Sequence, residues 1–296
     1  MVEQLPQDVI ARLRALDPAV SPELAQASWA LLTPFHEKLG YTAPRIDRDL
    51  RYGEHERHRL DVHSSGGPQR GGALAPVFVF VHGGGFVAGD KHHPGTPSYD
   101  LVGAWAVRHD WVGVNITYRY APEVKWPAGA EDVAAAVAWI RENIAGYGGD
   151  PDRIVVAGNS AGAVHVADFA AGRGGSLAGV RGAALISGTY GPRSVRPGGE
   201  PHPYYTSPQD PENLSLPGLL ESPVPLLFAV AERDPDRFHL AAAEVATAWQ
   251  ERHGTLPDLV WVDGHNHMSA VASLGVDEPA LGIPLARFIE RHTAAG

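Results

Sequence analysis

The chain has 296 residues, 44% of them hydrophobic and 20% charged, which fits a large α/β domain. Its formal net charge of -10 and its pI near 5.8 argue against a nucleic-acid-binding protein, because phosphate contacts need clustered Lys and Arg. The chain contains no cysteine, which excludes disulfides, thiolate metal ligands and a cysteine nucleophile.

The first part of the chain predicts two helices, at about 5–16 and 21–39. The first has one apolar face and carries charges throughout, so it does not resemble a signal peptide. No apolar run approaches the roughly 18 residues that a membrane span needs. We therefore expect a cytoplasmic protein that does not enter the membrane, with residues 1–44 as a helical extension of a single domain over 1–296.

The rest of the chain alternates apolar strands with helical stretches. Two segments of alternating polarity, DRDLRYG and HRLDVHSS, predict antiparallel strands at a sheet edge. Six later runs are typical of parallel strands buried on both faces: APVFVFVH, VGVNITY, DRIVVAGN, GAALISG, PLLFAVAE and DLVWVDG. Helical patterns separate them, at about 97–109, 128–145, 161–172, 238–253 and 282–293. This order predicts an open, doubly wound and mostly parallel sheet of about eight strands, flanked by helices.

One segment interrupts this alternation. Residues 188–222 are dense in Pro and Gly and have no clear period. Such a segment is typical of an inserted loop, so we interpret 188–222 as a short lid-like insertion.

A Gly-x-Ser-x-Gly motif joins a predicted strand to a predicted helix. In GNSAG, residues 158–162, glycines flank Ser160, as a strained turn close to neighbouring backbone requires. An ordinary Gly-rich turn is the alternative interpretation. The strand before the motif and the helix after it favour Ser160 as a nucleophile at the amino end of a helix.

A second glycine motif can supply the hydrogen-bond donors that a serine nucleophile needs. The sequence VHGGGF, residues 81–86, follows a buried strand, and its glycines allow N–H groups to turn toward an oxyanion. We predict an oxyanion hole formed by the N–H groups of Gly84, Gly85 and Ala161. A phosphate-binding loop is excluded, because neither Gly-Lys-Ser/Thr nor Gly-x-Gly-x-x-Gly is present.

The order of HGGGF, YRYAPEVKWPAGAED and GNSAG resembles the α/β-hydrolase superfamily, over residues 45–293. Within it the chain is similar to carboxylesterases related to hormone-sensitive lipase and to kynurenine-formamidase-like esterases. The resemblance implies a serine hydrolase that uses neither cofactor nor metal, with Arg119 and Asp132 bracing their loop. Asn159 departs from these families, which usually have Asp, Glu or His at that position.

The resemblance also implies that the catalytic acid follows the strand after the insertion. Glu232, Asp234 and Asp236 are the candidates there. We prefer Asp234, because the family places its acid at the Asp of such a turn, while Glu232 ends the strand and Asp236 precedes the next helix. Its role would be to orient the histidine and stabilise the imidazolium.

The catalytic histidine should lie in the loop HNHMS, which follows the last strand. His265 and His267 both qualify. In formamidase-like relatives the base precedes an apolar residue and a residue that starts the next helix, so we prefer His267, with Ser269 as the helix cap. His265 would support the loop. A metal site is not expected, since His92 and His93 stand in another loop and bring no organised set of ligands.

Aromatic residues near these motifs are candidates for substrate binding. Phe86, Trp126, Tyr190 and either Tyr204 or Tyr205 could line an apolar pocket, and ordinary core packing is the alternative. We expect hydrolysis of a small-molecule carboxylic ester through an acyl-enzyme. A formamidase-type amidase and a ligand-binding protein without catalysis are the alternatives, and the sequence leaves a homo-oligomer possible.

Overall fold

A computed structural model describes residues 4–66, 72–192, 202–205 and 215–294 of the chain. The strands are β1 (Arg45–Arg51), β2 (Arg59–Ser64), β3 (Ala75–Val81), β4 (Val112–Ile116), β5 (Gly149–Asn159), β6 (Val180–Ile186), β7 (Leu226–Arg233) and β8 (Asp258–Asn266). The helices are α1 (Gln7–Arg14), α2 (Pro22–Leu39), α3 (Asp100–Arg108), α4 (Ala128–Asn143), α5 (Ala161–Ala170), α6 (Leu216–Leu219), α7 (Asp236–His253), α8 (Ser269–Ala272) and α9 (Ile283–Thr293).

The strands form one eight-stranded sheet in the order β1-β2-β4-β3-β5-β6-β7-β8. Strand β2 runs antiparallel to both of its neighbours, and β4, β3, β5, β6, β7 and β8 run parallel to one another. The prediction of a mostly parallel sheet of about eight strands with an antiparallel edge is confirmed. The carboxyl ends of the parallel strands meet at one edge, which is where sites form in open α/β sheets.

The sheet is buried on both faces, as the apolar runs predict. In β3, Val77, Val79 and Val81 pack into the core on one side of the sheet, while Phe78 and Phe80 pack into the core on the other side. This alternation follows from the two-residue period of a strand. Because β3 and β5 are held from both sides, the loops that leave their carboxyl ends have a rigid base.

The N-terminal helices pack beside the end of the chain. Leu13 of α1 and Leu32 of α2 are fully buried in a small apolar cluster that also contains Ala272 and Val276. The bounds of α1 and α2 lie within two residues of the predicted ones. Among the described residues, no helix combines the length and the apolar character that crossing a bilayer requires.

The predicted lid-like insertion is described only in part. Residues 188–192, 202–205 and 215–222 belong to the described ranges, and the other positions of 188–222 lie outside them. The described parts include the short helix α6, which contacts α5. The insertion therefore returns to the body of the domain beside the helix that follows Ser160.

Candidate active site

Ser160 lies at the sharp turn between β5 and α5. Its φ of 56° and ψ of -120° are a strained conformation that residues other than glycine rarely adopt. Its N–H donates to the carbonyl of Ile186 at 2.9 Å. A Cβ on Gly158 would lie 2.3 Å from the carbonyl oxygen of Gly162, and one on Gly162 would lie 2.2 Å from that of Val81. Glycine is therefore required on both sides of the serine.

The glycine loop after β3 lies against Ser160. Gly84 and Gly85 have φ of 133° and 60°, and a Cβ on Gly84 would lie 1.8 Å from the carbonyl oxygen of Ala88. A Cβ on Gly83 would lie 3.2 Å from Cβ of Ser160. Within the described ranges, the N–H groups of Gly84 and Gly85 donate to no other residue. They are therefore available as donors to a ligand beside the serine.

Ala161 supplies the third predicted donor. It is the first residue of α5 and is buried, with 3% of its surface exposed. The first N–H groups of a helix have no intrahelical acceptor, and they lie at the positive end of the helix dipole. The Ala161 N–H is therefore placed to stabilise negative charge next to Ser160.

Two aromatic residues, His82 and Tyr118, brace the glycine loop. The Tyr118 hydroxyl donates to the carbonyl of His82 at 3.1 Å, and the two rings stack with centroids 4.4 Å apart. Nδ1 of His82 lies 2.6 Å from the carbonyl oxygen of Gly83. Burial lowers the pKa of His82 to about 4, so the ring is neutral near pH 7. The role of Tyr118 was not foreseen from the sequence.

Asp234 and His267 form a buried pair at the ends of β7 and β8. Nδ1 of His267 lies 2.6 Å from Oδ1 of Asp234. The other carboxylate oxygen accepts hydrogen bonds from Ser187 Oγ at 2.6 Å and from the N–H of Ala231 at 2.8 Å. Phe238 stacks on the imidazole with ring centroids 4.4 Å apart. Nε2 of His267 is buried and has no hydrogen-bond partner in the part of the chain that is described.

The two other candidate carboxylates lie elsewhere. Glu232 accepts from the Arg14 guanidinium and from the N–H of Gly264, both at 2.7 Å. The hydrogen bond from Arg14 is the main cause that lowers the pKa of Glu232. Asp236 is the first residue of α7. Neither carboxylate is paired with His267.

His265 is fully buried and is bonded through both ring nitrogens. Nδ1 lies 3.1 Å from Ser269 Oγ, and Nε2 lies 3.2 Å from Asp277 Oδ2. The prediction that Ser269 caps the next helix is wrong, because Ser269 is already its first residue. Instead, Oδ1 of Asn266 accepts from the N–H groups of Met268 and Ser269, each at 3.0 Å. Ser269 Oγ in turn accepts from the N–H of Asn266 at 2.9 Å, so the two side chains hold the loop together.

Comparison with solved structures identifies the architecture. A bacterial heroin esterase superposes with a TM-score of 0.69 and 22% identity, covering 99% of each chain. An esterase from Pyrobaculum calidifontis superposes with a TM-score of 0.65 and 24% identity, covering 98% of this chain and all of the other. The chain has the α/β-hydrolase fold.

Sequence comparisons show a likeness to esterases. The family model BD-FAE matches residues 60–178. Esterase LipQ from Mycobacterium tuberculosis is 44% identical over 34% of this chain, and the matched part is 23% of that protein. The curated relatives are thus matched over about a quarter of their own length. The resemblance to carboxylesterases inferred from the sequence is confirmed, and the activity of this chain is a matter for proposal.

An aromatic cluster lies beside the glycine loop that follows β3. Its buried members are Phe86, Ala121, Ala161, Val164, Tyr204 and Tyr205, and the partly buried Trp126 packs against them. Three of the predicted substrate-binding residues, Phe86, Trp126 and Tyr204, are thus brought together. Tyr190 is not among them, because its ring packs in the core at 5.7 Å from that of Phe228.

A buried carboxylate on α5 links three segments around the aromatic cluster. Asp168 accepts from Nε1 of Trp126 and from Ser215 Oγ, both at 2.9 Å, and from Arg173 at 3.3 Å. Burial raises its pKa to about 6. Asp168 was not among the residues predicted from the sequence, although an Asp in the apolar helix AVHVADFAA is itself a signal of a polar role.

Two charged networks are structural. The side-chain Nε and the main-chain N–H of Arg119 donate to the two carboxylate oxygens of Asp132 at 2.7 and 2.8 Å. This is the bracing role expected of the pair. In the other network, ligand atoms of Asp61, His63 and Asp100 lie within 4.8 Å of one another and could hold a metal ion. Both of its carboxylates accept hydrogen bonds from the Arg48 guanidinium at 2.7 Å, and Nζ of Lys91 lies 3.2 Å from Asp61, so organic cations already pair with them.

Proposed function

We propose that this chain hydrolyses carboxylic esters through an acyl-enzyme, with Ser160 as nucleophile, His267 as base and Asp234 as the acid that orients it. The observation that carries the proposal is the buried His267–Asp234 pair. Its Nδ1 is fixed at 2.6 Å from a carboxylate, and its Nε2 has no partner within the described ranges. An imidazole held in this way has one nitrogen available to take and return a proton.

In the first step His267 accepts the hydroxyl proton of Ser160 as the oxygen attacks the ester carbonyl. The carbonyl oxygen becomes negative and receives hydrogen bonds from Gly84, Gly85 and Ala161, whose N–H groups need no rearrangement. His267 then protonates the leaving alcohol, and the acyl group remains on Ser160. In the second step, a water activated by His267 releases the carboxylic acid.

Asp234 is suited to hold the imidazole because it is itself held. Ser187 and the Ala231 N–H bind one carboxylate oxygen, so the other remains directed at Nδ1 of His267. This fixes the proton on Nδ1 and leaves Nε2 as the base. The carboxylate also stabilises the imidazolium that forms in each step.

An ester substrate is favoured over an amide by the relatives. LipQ and NlhH carry the names esterase and carboxylesterase, and the superposed structures are titled esterases. None of the contacts described above favours the amidase alternative. A ligand-binding protein without catalysis has no need for a strained serine and a buried imidazole–carboxylate pair at one sheet edge.

The test is the loss of both turnover and covalent labelling in Ser160→Ala. With p-nitrophenyl acetate as substrate, kcat should fall about 10⁵-fold or more. A fluorophosphonate probe should label the wild-type chain with one equivalent and leave the variant unlabelled. Ser176→Ala, at an exposed serine, is the matched control and should behave as wild type. Unchanged turnover in Ser160→Ala would refute the proposal, and a wild-type chain that resists the probe would support the binding-protein alternative.

A further inference from the structure

Helix α1 is joined by a charged side chain to the two strand ends that carry Asp234 and His267. Arg14 of α1 donates to the Glu232 carboxylate at 2.7 Å, and the same carboxylate accepts from the N–H of Gly264 at 2.7 Å. Glu232 lies at the end of β7 and Gly264 at the end of β8, and Asp234 and His267 directly follow these strands. Helix α1 therefore supports both members of the candidate pair.

The N-terminal helices also hold the main chain before and after His267. A Cβ on Gly264 would lie 2.6 Å from Cγ2 of Ile10, so α1 packs directly against the backbone there. In α2, Nε2 of His36 lies 2.8 Å from the carbonyl oxygen of Ala272 in α8. Burial lowers the pKa of His36 to about 4, so the neutral ring donates this hydrogen bond near pH 7. The segment from β8 to α8 is thus fixed to both helices.

Asn266, the residue before His267, connects α2 to the turn itself. Its Oδ1 accepts from the N–H groups of Met268 and Ser269, each at 3.0 Å. Oγ of Ser28 in α2 lies 3.1 Å from Nδ2 and 3.2 Å from Oδ1 of the same amide. Because the oxygen faces two N–H donors, the amide nitrogen must donate to Ser28. Both side chains are buried, so bulk water does not replace these hydrogen bonds.

The hydrogen bonds of Asn266 enclose His267. They join the residue before the histidine to the two residues after it, so the main chain of His267 cannot shift without breaking one of them. The position of this main chain sets the 2.6 Å contact of Nδ1 with Asp234 and the direction of Nε2. A catalytic group displaced by about 1 Å can lose about 100-fold in rate. The turn therefore needs a firm support.

We propose that Asn266 is a positioning residue for His267, and that Ser28 of α2 fixes the Asn266 amide in the orientation that this role requires. This inference rests on the proposed function. Without Ser28 Oγ, the buried Nδ2 loses its acceptor and the amide is held less firmly. The N-terminal helices then serve catalysis as the support of the base, in addition to packing against the end of the chain.

The experiment measures kcat and KM for p-nitrophenyl acetate in three single variants. Asn266→Leu keeps the size of the side chain but removes the acceptor, so kcat should fall about 100-fold while KM changes little. Asn266→Asp retains an acceptor and should keep kcat within about 10-fold of wild type at its own pH optimum. Ser28→Ala leaves Oδ1 in place and should lower kcat about 3- to 10-fold. Rates are expressed per folded molecule, with the folded fraction taken from circular dichroism.

Ser21→Ala is the matched control for Ser28→Ala. Ser21 caps the same helix by accepting from the N–H of Leu24 at 3.2 Å, so this variant should lose stability and keep the wild-type kcat. A double variant of Ser28→Ala and Asn266→Leu should have the kcat of Asn266→Leu alone, because Ser28 acts through Asn266. Losses that multiply in the double variant would overturn the link between the two residues.

The remaining outcomes separate this inference from the proposed function. If acetate is hydrolysed and Ser160 is labelled by fluorophosphonate, but Asn266→Leu and Ser28→Ala lose only stability, the positioning inference alone is wrong. If Asn266→Leu does not fold, Ser28→Ala decides. If the wild type neither turns over an ester nor is labelled at Ser160, the proposed function fails and this inference fails with it.

Discussion

His265 and His267 lie two residues apart at the end of β8, and each is paired with a carboxylate. The two pairs differ at the second nitrogen of the imidazole ring. His267 is 2.6 Å from Asp234, and His265 is 3.2 Å from Asp277. Both imidazoles are buried, with 1% and 0% of their surface exposed. A carboxylate partner therefore does not distinguish a catalytic histidine from a structural one.

The second ring nitrogen does distinguish them. In His265, Nδ1 lies 3.1 Å from Ser269 Oγ, so both nitrogens are engaged. In His267, Nε2 is buried without a partner within the described ranges. Leaving a buried polar atom unpaired costs about 1–3 kcal/mol, so such an atom is expected where function needs it. Between His265 and His267, the unsatisfied ring nitrogen, rather than the carboxylate partner, distinguishes the candidate base.

The largest expected effect is on activity, and it tests the assignment of His267 as the base. His267→Ala should lower kcat for p-nitrophenyl acetate by about 10⁴-fold or more, because the proton acceptor is lost. His265→Ala is the matched control, and its kcat per folded molecule should stay within about 10-fold of wild type, since its nitrogens serve the loop. Circular dichroism gives the folded fraction of each variant, since fluorophosphonate labelling would itself be lost with the base. Near-normal turnover in His267→Ala would assign the base to His265 instead.

The sequence predicted much of the sheet and of the site, for identifiable reasons. Strand runs of Val, Ile and Phe and the glycines around Ser160 are local patterns, and local patterns can be recognised without coordinates. The preference for His267 came from its neighbours in the chain. The glycine and serine motifs therefore predicted the proposed chemistry before any contact was known.

The contacts that distinguish the two pairs could not be predicted. Asp277 and His265 are twelve residues apart in the sequence, and Ser187 and Asp234 are 47 residues apart, yet each pair is in hydrogen-bond contact. Such pairings depend on how loops from different strands meet, which no local pattern records. Tyr190 shows the same limit, because a tyrosine after a strand can turn toward the site or, as here, into the core.

A smaller effect, on the free energy of unfolding, distinguishes the His265–Asp277 pair from the His267–Asp234 pair. His265→Ala leaves Asp277 without its imidazole partner and should lower the free energy of unfolding by about 3 kcal/mol. His267→Ala should cost about 1–2 kcal/mol, because Asp234 keeps its hydrogen bonds from Ser187 and Ala231. Urea unfolding followed by circular dichroism measures both. Equal losses would mean that the two pairs hold the loop to the same extent.

The smallest effect concerns Ser187, a positioning residue that touches Asp234 and acts through it on His267. Ser187→Ala removes the 2.6 Å hydrogen bond to Asp234 Oδ2 and leaves the one from the Ala231 N–H. The carboxylate is then held less firmly, so kcat should fall about 3- to 10-fold while KM changes little. Ser273→Ala is the matched control, since this buried serine donates to Ala270 at 2.7 Å and not to the pair. A variant that loses stability while keeping the wild-type kcat would show that Ser187 only supports the fold, because only a positioning role lowers kcat in molecules that remain folded.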